Sequence, residues 1–197
     1  MLNRSQAYNA ALTYGVSDAL DVGVNLPYFR VKTDGEAAMR GVGDATLQAK
    51  WRFHEDDAGW SVAVKPAITL PTGSESKGLG AGRSTATLSL LGQYQKDAWT
   101  WLVNGGLTHN DNQAGDRKSL WNVSTALLYA VGEQWTLGVD AGIGRNPDAA
   151  SNKHLSYGLL GVQYHVSEGM DIDVGYRRTL HSGPVVHTWG AGLTFRW

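Results

Sequence analysis

Trp60-Ser61-Val62-Ala63-Val64-Lys65-Pro66-Ala67-Ile68-Thr69-Leu70 decides the fold. Its even positions are apolar: Trp60, Val62, Val64, Pro66, Ile68 and Leu70. Its odd positions, Ser61, Ala63, Lys65, Ala67 and Thr69, are small or polar. A strand sends successive side chains to opposite faces and keeps these two sets apart, whereas a helix mixes them. The segment before it alternates in the same way, with Leu47, Ala49, Trp51 and Phe53 set against Thr46, Gln48, Lys50, Arg52 and His54.

Working outward, the alternation predicts eleven strands, approximately at 5–15, 19–31, 44–54, 60–72, 84–96, 98–109, 119–131, 134–146, 154–166, 169–179 and 185–197. Strands of soluble sheets average roughly five or six residues, and a tilted strand that crosses a bilayer needs about nine to eleven. These are of the second kind. Their connections alternate in length. Short turns at Ser17-Asp18, Asp56–Gly59, Asp97, Gly132-Glu133 and Ser167–Gly169 are interleaved with longer loops at Lys32–Gly43, Gly73–Arg83, Asn110–Lys118, Pro147–Lys153 and His181–Pro184. Outer-membrane barrels have short periplasmic turns and long outer loops, so the alternation assigns sidedness and puts the C-terminus on the periplasmic side. Tyr14, Trp51, Phe53, Trp60, Tyr94, Trp99, Trp101, Tyr129, Trp135, Tyr164, Phe195 and Trp197 all fall at the short-turn end, as an interfacial girdle of aromatics requires. Tyr28, Trp121, Tyr176 and Trp189 form a thinner girdle at the other end.

Composition agrees with this reading. The 197 residues make one domain, with 25 Gly, 8 Trp, 8 Tyr and no Cys, which excludes disulfides and thiolate metal sites. A net charge of -1 gives no footprint for nucleic acid. The mean hydropathy of -0.27 suits a barrel that meets lipid with every second side chain only. The expected fold is therefore all-β, an antiparallel up-and-down transmembrane β-barrel in the bacterial outer membrane, with outer-membrane lipids as its surroundings. Met1-Leu2-Asn3-Arg4-Ser5 has no basic and apolar leader. With eleven strands, the first and last run the same way and would close in parallel, against the even-numbered antiparallel rule. The expectation is that a signal peptide and a first strand are missing, so that the complete barrel has twelve strands.

The last segment carries Trp189, Ala191, Leu193, Phe195 and Trp197 on one face. An aromatic terminus on such a strand resembles the signal read by the barrel-assembly machinery, with Trp189, Leu193, Phe195 and Trp197 as the residues to be read. Two further stretches are distinctive: Gly41-Val42-Gly43-Asp44, running on to Lys50-Trp51-Arg52-Phe53, and Lys65-Pro66-Ala67-Ile68-Thr69-Leu70-Pro71-Thr72-Gly73 with a glycine-rich loop after it. These resemble the outer-membrane barrel family of the MetA-pathway of phenol degradation, over most of the chain. The resemblance implies a transport barrel for small hydrophobic or aromatic solutes.

If the apolar face meets lipid, the other face lines the lumen. Gln48, Lys50, Arg52, Lys65, Asn104, Asp140, Asp171, Asp173 and Arg177 are the candidates there, and such buried polar groups need water or partners. Lys50, Lys65 and Asp140 fall near mid-strand, as a constriction would. The plainer expectation is that Asp140, Asp171 or Asp173 pairs with Lys50, Lys65, Arg52 or Arg177 to brace the wall. Asp171 and Asp173 share a face, but no further oxygen ligands accompany them, and the six histidines lack metal-ligand spacing. No metal or cofactor is implied. Gly73–Gly82 lacks the Gly-Lys-Ser/Thr ending of a phosphate loop and reads as a mobile outer loop. Two rival readings remain. A lipid-modifying enzyme has only His181-Ser182 as an adjacent base and nucleophile pair, and turn chemistry explains that pair better. A structural barrel predicts a plugged lumen.

Overall fold

The structure, a computed structural model, describes residues 4–32, 38–112, 115–181 and 185–197. Ser182, named in the enzyme reading, lies outside them, as does most of the loop that contains it. The strands are β1 (Arg4–Ser17), β2 (Leu20–Lys32), β3 (Met39–Val42), β4 (Ala45–Glu55), β5 (Trp60–Leu70), β6 (Thr85–Lys96), β7 (Trp99–Asn110), β8 (Ser119–Val131), β9 (Trp135–Arg145), β10 (His154–Ser167), β11 (Met170–Thr179) and β12 (His187–Phe195). They form one sheet in the order β1-β2-β4-β5-β6-β7-β8-β9-β10-β11-β12, with every pairing antiparallel and β3 on β2 above β4.

β3 and β4 are one stave interrupted by a bulge. Tyr28 lies opposite Val42 and Asn25 opposite Thr46, so Leu26 and Pro27 face the three residues Gly43, Asp44 and Ala45. The extra residue reverses the inside-outside phase, which hides Met39–Val42 from a reading by alternation. The long loop expected over Lys32–Gly43 therefore contains a strand, and the sheet has eleven staves.

Burial is inverted relative to a soluble protein. Among the described residues the only buried apolar side chains are Ala63 and Leu79, whereas Leu88, Leu107 and Leu193 are 54%, 66% and 61% exposed. Val64 lies opposite Leu90 and Leu127 opposite Val139, so the apolar face is continuous from strand to strand. Aromatic pairs sit on this convex face beside the short turns: Trp60 with Tyr94, Trp99 with Tyr129 and Trp135 with Tyr164, with centroids 4.6, 4.5 and 4.6 Å apart. They are cross-strand neighbours, the unit that stabilises a sheet.

The longer loops are tied down. Asp44 accepts hydrogen bonds from the amides of Gly73 (2.8 Å) and Ala81 (2.7 Å). The Thr72 hydroxyl accepts from Ala45 N (2.8 Å) and donates to Gly43 O (3.2 Å). A side chain on Gly43 would enter the Phe29 ring. The loop expected to be mobile is thus pinned at both ends, with a 3₁₀ turn at Glu75–Lys77 and a buried Leu79. Arg117 similarly reaches from one loop into the next and donates to the carbonyls of Asn146, Asp148, Ala149 and Ser151. The ladder does not close: among the described residues β1 pairs only with β2 and β12 only with β11. Their long-loop ends nevertheless line one cavity, with Ser5 and Gln6 on one side and His187 and Trp189 on the other.

Candidate functional site

Alternation, having sent the apolar side chains outward, leaves glycine, hydroxyl, amide and charged groups on the concave face. On β9 to β12 the register stacks them in rows. Gly138, Gly161, Gly175 and Gly190 lie directly opposite one another across four strands. One row toward the loops come Asp140, Leu159, Arg177 and Thr188, and one row toward the turns come Thr136, Gln163, Asp173 and Gly192. The absent glycine side chains leave a trough of about 500 Å³ floored by backbone. A second cavity of about 470 Å³ is lined by Lys50, Arg52, Gln93, Asn104 and Ser124 from β4 to β8. The two share Ala126 and Asp140, so Asp140 stands where they meet.

The Tyr157 hydroxyl donates to Asp140 at 2.9 Å, and the Arg177 guanidinium lies 3.9 Å from the centre of the Tyr157 ring. This geometry suits both a charge-assisted hydrogen bond and a cation–π contact. Lys50 forms an ion pair with Asp21 at 2.7 Å, and Arg52 binds Glu55 at 3.0 Å and the carbonyl of Asp18 at 2.7 Å. Asp171 is fully buried and accepts from Gln163 (2.7 Å), His165 (2.8 Å) and Arg196, while the other ring nitrogen of His165 meets the Thr136 hydroxyl at 3.0 Å. That chain of contacts braces β9 to β12 near the turns.

The expected pairs between Asp140, Asp171 or Asp173 and Lys50, Lys65, Arg52 or Arg177 do not form; the partners are instead Asp21, Glu55, Tyr157 and Arg196. Lys65, opposite Ser89, and Asp173, over Gly192, have no ion-pair partner among the described residues. Gln48 lies against Gly23, and the Asn104 side-chain oxygen is buried without a hydrogen bond. Tyr157, Gln163 and His165 escaped the sequence reading. Their inward phase on β10 is legible, but their partners lie on other strands, Asp171 directly opposite His165 and the others diagonally.

An antiparallel sheet of long staves, apolar outside and polar within, is the architecture of an outer-membrane β-barrel. The chain belongs to the family described as Putative MetA-pathway of phenol degradation, whose model matches residues 5–197. Its fold is similar to that of an outer membrane channel from Pseudomonas putida F1, at 17% identity and a TM-score of 0.75, covering 96% of this chain and 81% of that one. It is also similar to the NanC porin, at 9% identity and a TM-score of 0.69 over 100% of both chains. A FadL homologue from Pseudomonas aeruginosa aligns at 11% identity and a TM-score of 0.54, over 97% of this chain and 65% of that one. No curated protein sequence matches.

Proposed function

We propose that the protein is an outer-membrane channel for small apolar or aromatic solutes, closed in the bacterial membrane as a twelve-stranded barrel. The observation that carries this reading is the pair of contiguous cavities on the concave face, joined at Asp140. Each is the size of one small molecule rather than of an open aqueous pore. Leu91, Leu102, Leu128 and Leu159 contribute apolar wall, Lys50, Arg52 and Glu55 are held in ion pairs, and Asp140 and Arg177 engage Tyr157, which lowers the cost of replacing water by an apolar solute. The family's description and its channel-like structural neighbours favour transport. Trp189, Leu193, Phe195 and Trp197 on the last strand are the residues the barrel-assembly machinery would read. Twelve strands are favoured because β1 and β12 run in the same direction, and one further strand can be antiparallel to both.

Uptake into proteoliposomes and planar-bilayer recording test the reading. A small aromatic solute should enter through the wild type, and Lys50→Ala or Asp140→Asn should change the rate without preventing refolding. Large, unselective, permanently open conductance would contradict it. One observation favours a second reading, a lipid hydrolase: Thr136, His165 and Asp171 hydrogen-bond in the order hydroxyl, imidazole, carboxylate. Ester hydrolysis by the refolded protein, abolished in Thr136→Ala, would establish that reading in place of transport.

A further inference from the structure

The convex rim at the loop end carries three pairs of basic residues placed directly opposite one another across neighbouring strands. Arg30 faces Arg40 on β2 and β3, Arg145 faces His154 on β9 and β10, and Arg178 faces His187 on β11 and β12. All six are exposed. Directly opposed like charges, as in Arg30 and Arg40, destabilise a sheet, and none of the six residues forms an ion pair with a carboxylate among the described residues. Among the described residues Arg145 donates only to the Ser119 carbonyl, at 3.2 Å, and His187 meets the Tyr176 hydroxyl at 2.6 Å.

All three pairs border the upper aromatic level. Arg30 lies two residues beyond Tyr28, which packs on Tyr8 with centroids 6.3 Å apart. Arg178 lies two residues beyond Tyr176, which packs on Trp189 at 4.8 Å, and His154 itself packs beside Trp121 at 5.1 Å. Two residues of strand advance roughly 7 Å, so Arg30 and Arg178 stand just outside the aromatic level, where acyl chains give way to headgroups, while Arg145 and His154 stand level with Trp121. The apolar convex face lies directly beneath them. A ligand that matches both levels has acyl chains below and phosphates above, and a guanidinium fork binds phosphate with two parallel hydrogen bonds.

We propose that this rim binds the phosphate groups of an outer-leaflet glycolipid, through an arginine at each of three positions around the barrel. The surface is separate from the lumen and does not depend on the solute.

The test is titration of refolded, detergent-solubilised protein with lipopolysaccharide, with its dephosphorylated form and with phosphatidylglycerol, read by tryptophan fluorescence and by co-elution. The wild type should bind the phosphorylated glycolipid most tightly. Arg30→Gln/Arg145→Gln/Arg178→Gln should lose about tenfold or more in affinity, and Arg→Lys at the same three positions should lose less. Conductance should be unchanged in both. If the glutamine triple variant does not refold, Arg178→Gln alone should give a smaller loss in the same direction. Undiminished binding by the variant, or equal binding of the dephosphorylated form, overturns the proposal. Equal binding of phosphatidylglycerol overturns it in favour of any anionic lipid, and displacement by millimolar inorganic phosphate overturns it in favour of a free-anion site.

Discussion

Asp44 is the residue through which three segments meet: its carboxylate holds the Gly73 and Ala81 amides, next to the Thr72 hydroxyl and the Gly43 carbonyl. Removing one partner of a partly buried hydrogen bond costs about 1–3 kcal/mol, so Asp44→Ala should loosen the loop after β5 without melting the barrel. Limited proteolysis should cleave between residues 71 and 84 faster in that variant, with heat-modifiable gel migration unchanged; equal cleavage would mean that the loop is held by other contacts. The Gly-x-Gly-Asp sequence shows that something special happens there. It does not show what, because the amides Asp44 needs lie 29 and 37 residues further on. The same limit applies to Lys50 and Asp171. Their charge and inward phase are legible, but their partners Asp21 and Arg196 are fixed by register and side-chain reach across strands.

At the level of the strand, most of the structure was legible because each stave obeys one rule of period two from turn to loop. β3 was missed because four residues containing Gly41 are too short to display the rule and the bulge at Gly43 reverses its phase. The rule has a measurable consequence. Leu90 is 56% exposed on the convex face, and its neighbour Ser89 points inward and is buried. Leu90→Arg near mid-strand should destabilise the barrel by about 2–4 kcal/mol in equilibrium unfolding from lipid vesicles. Ser89→Ala should cost about 1 kcal/mol or less. Equal effects would mean that the faces are misassigned. The glycines divide in a similar way. A side chain on Gly175 would meet only atoms at ordinary contact distance, whereas one on Gly43 would strike Phe29. Gly175→Leu should therefore refold and slow solute uptake by filling the trough, and Gly43→Leu should fail to refold.

For the molecule as a whole, the decisive feature is the seam between β1 and β12, two parallel edges whose backbone groups cannot remain bare in hydrocarbon. In the membrane-inserted protein, amides along Tyr8–Leu12 and Ala191–Leu193 should exchange hydrogen as slowly as those of β6 and β7. Fast exchange at both edges would rule out a strand between them. The inverted burial has a further consequence, for passage through water. A soluble protein hides its apolar surface by folding, but here folding gathers that surface onto the outside, as the exposure of Leu107 and Leu193 illustrates. The unfolded chain, with a mean hydropathy of -0.27 and no long apolar run, disperses its greasy residues singly among polar ones. It is thus the unfolded form that tolerates an aqueous compartment and the native form that precipitates there. A chain of this design can travel through water only before it folds, and its solubility ends where its structure begins.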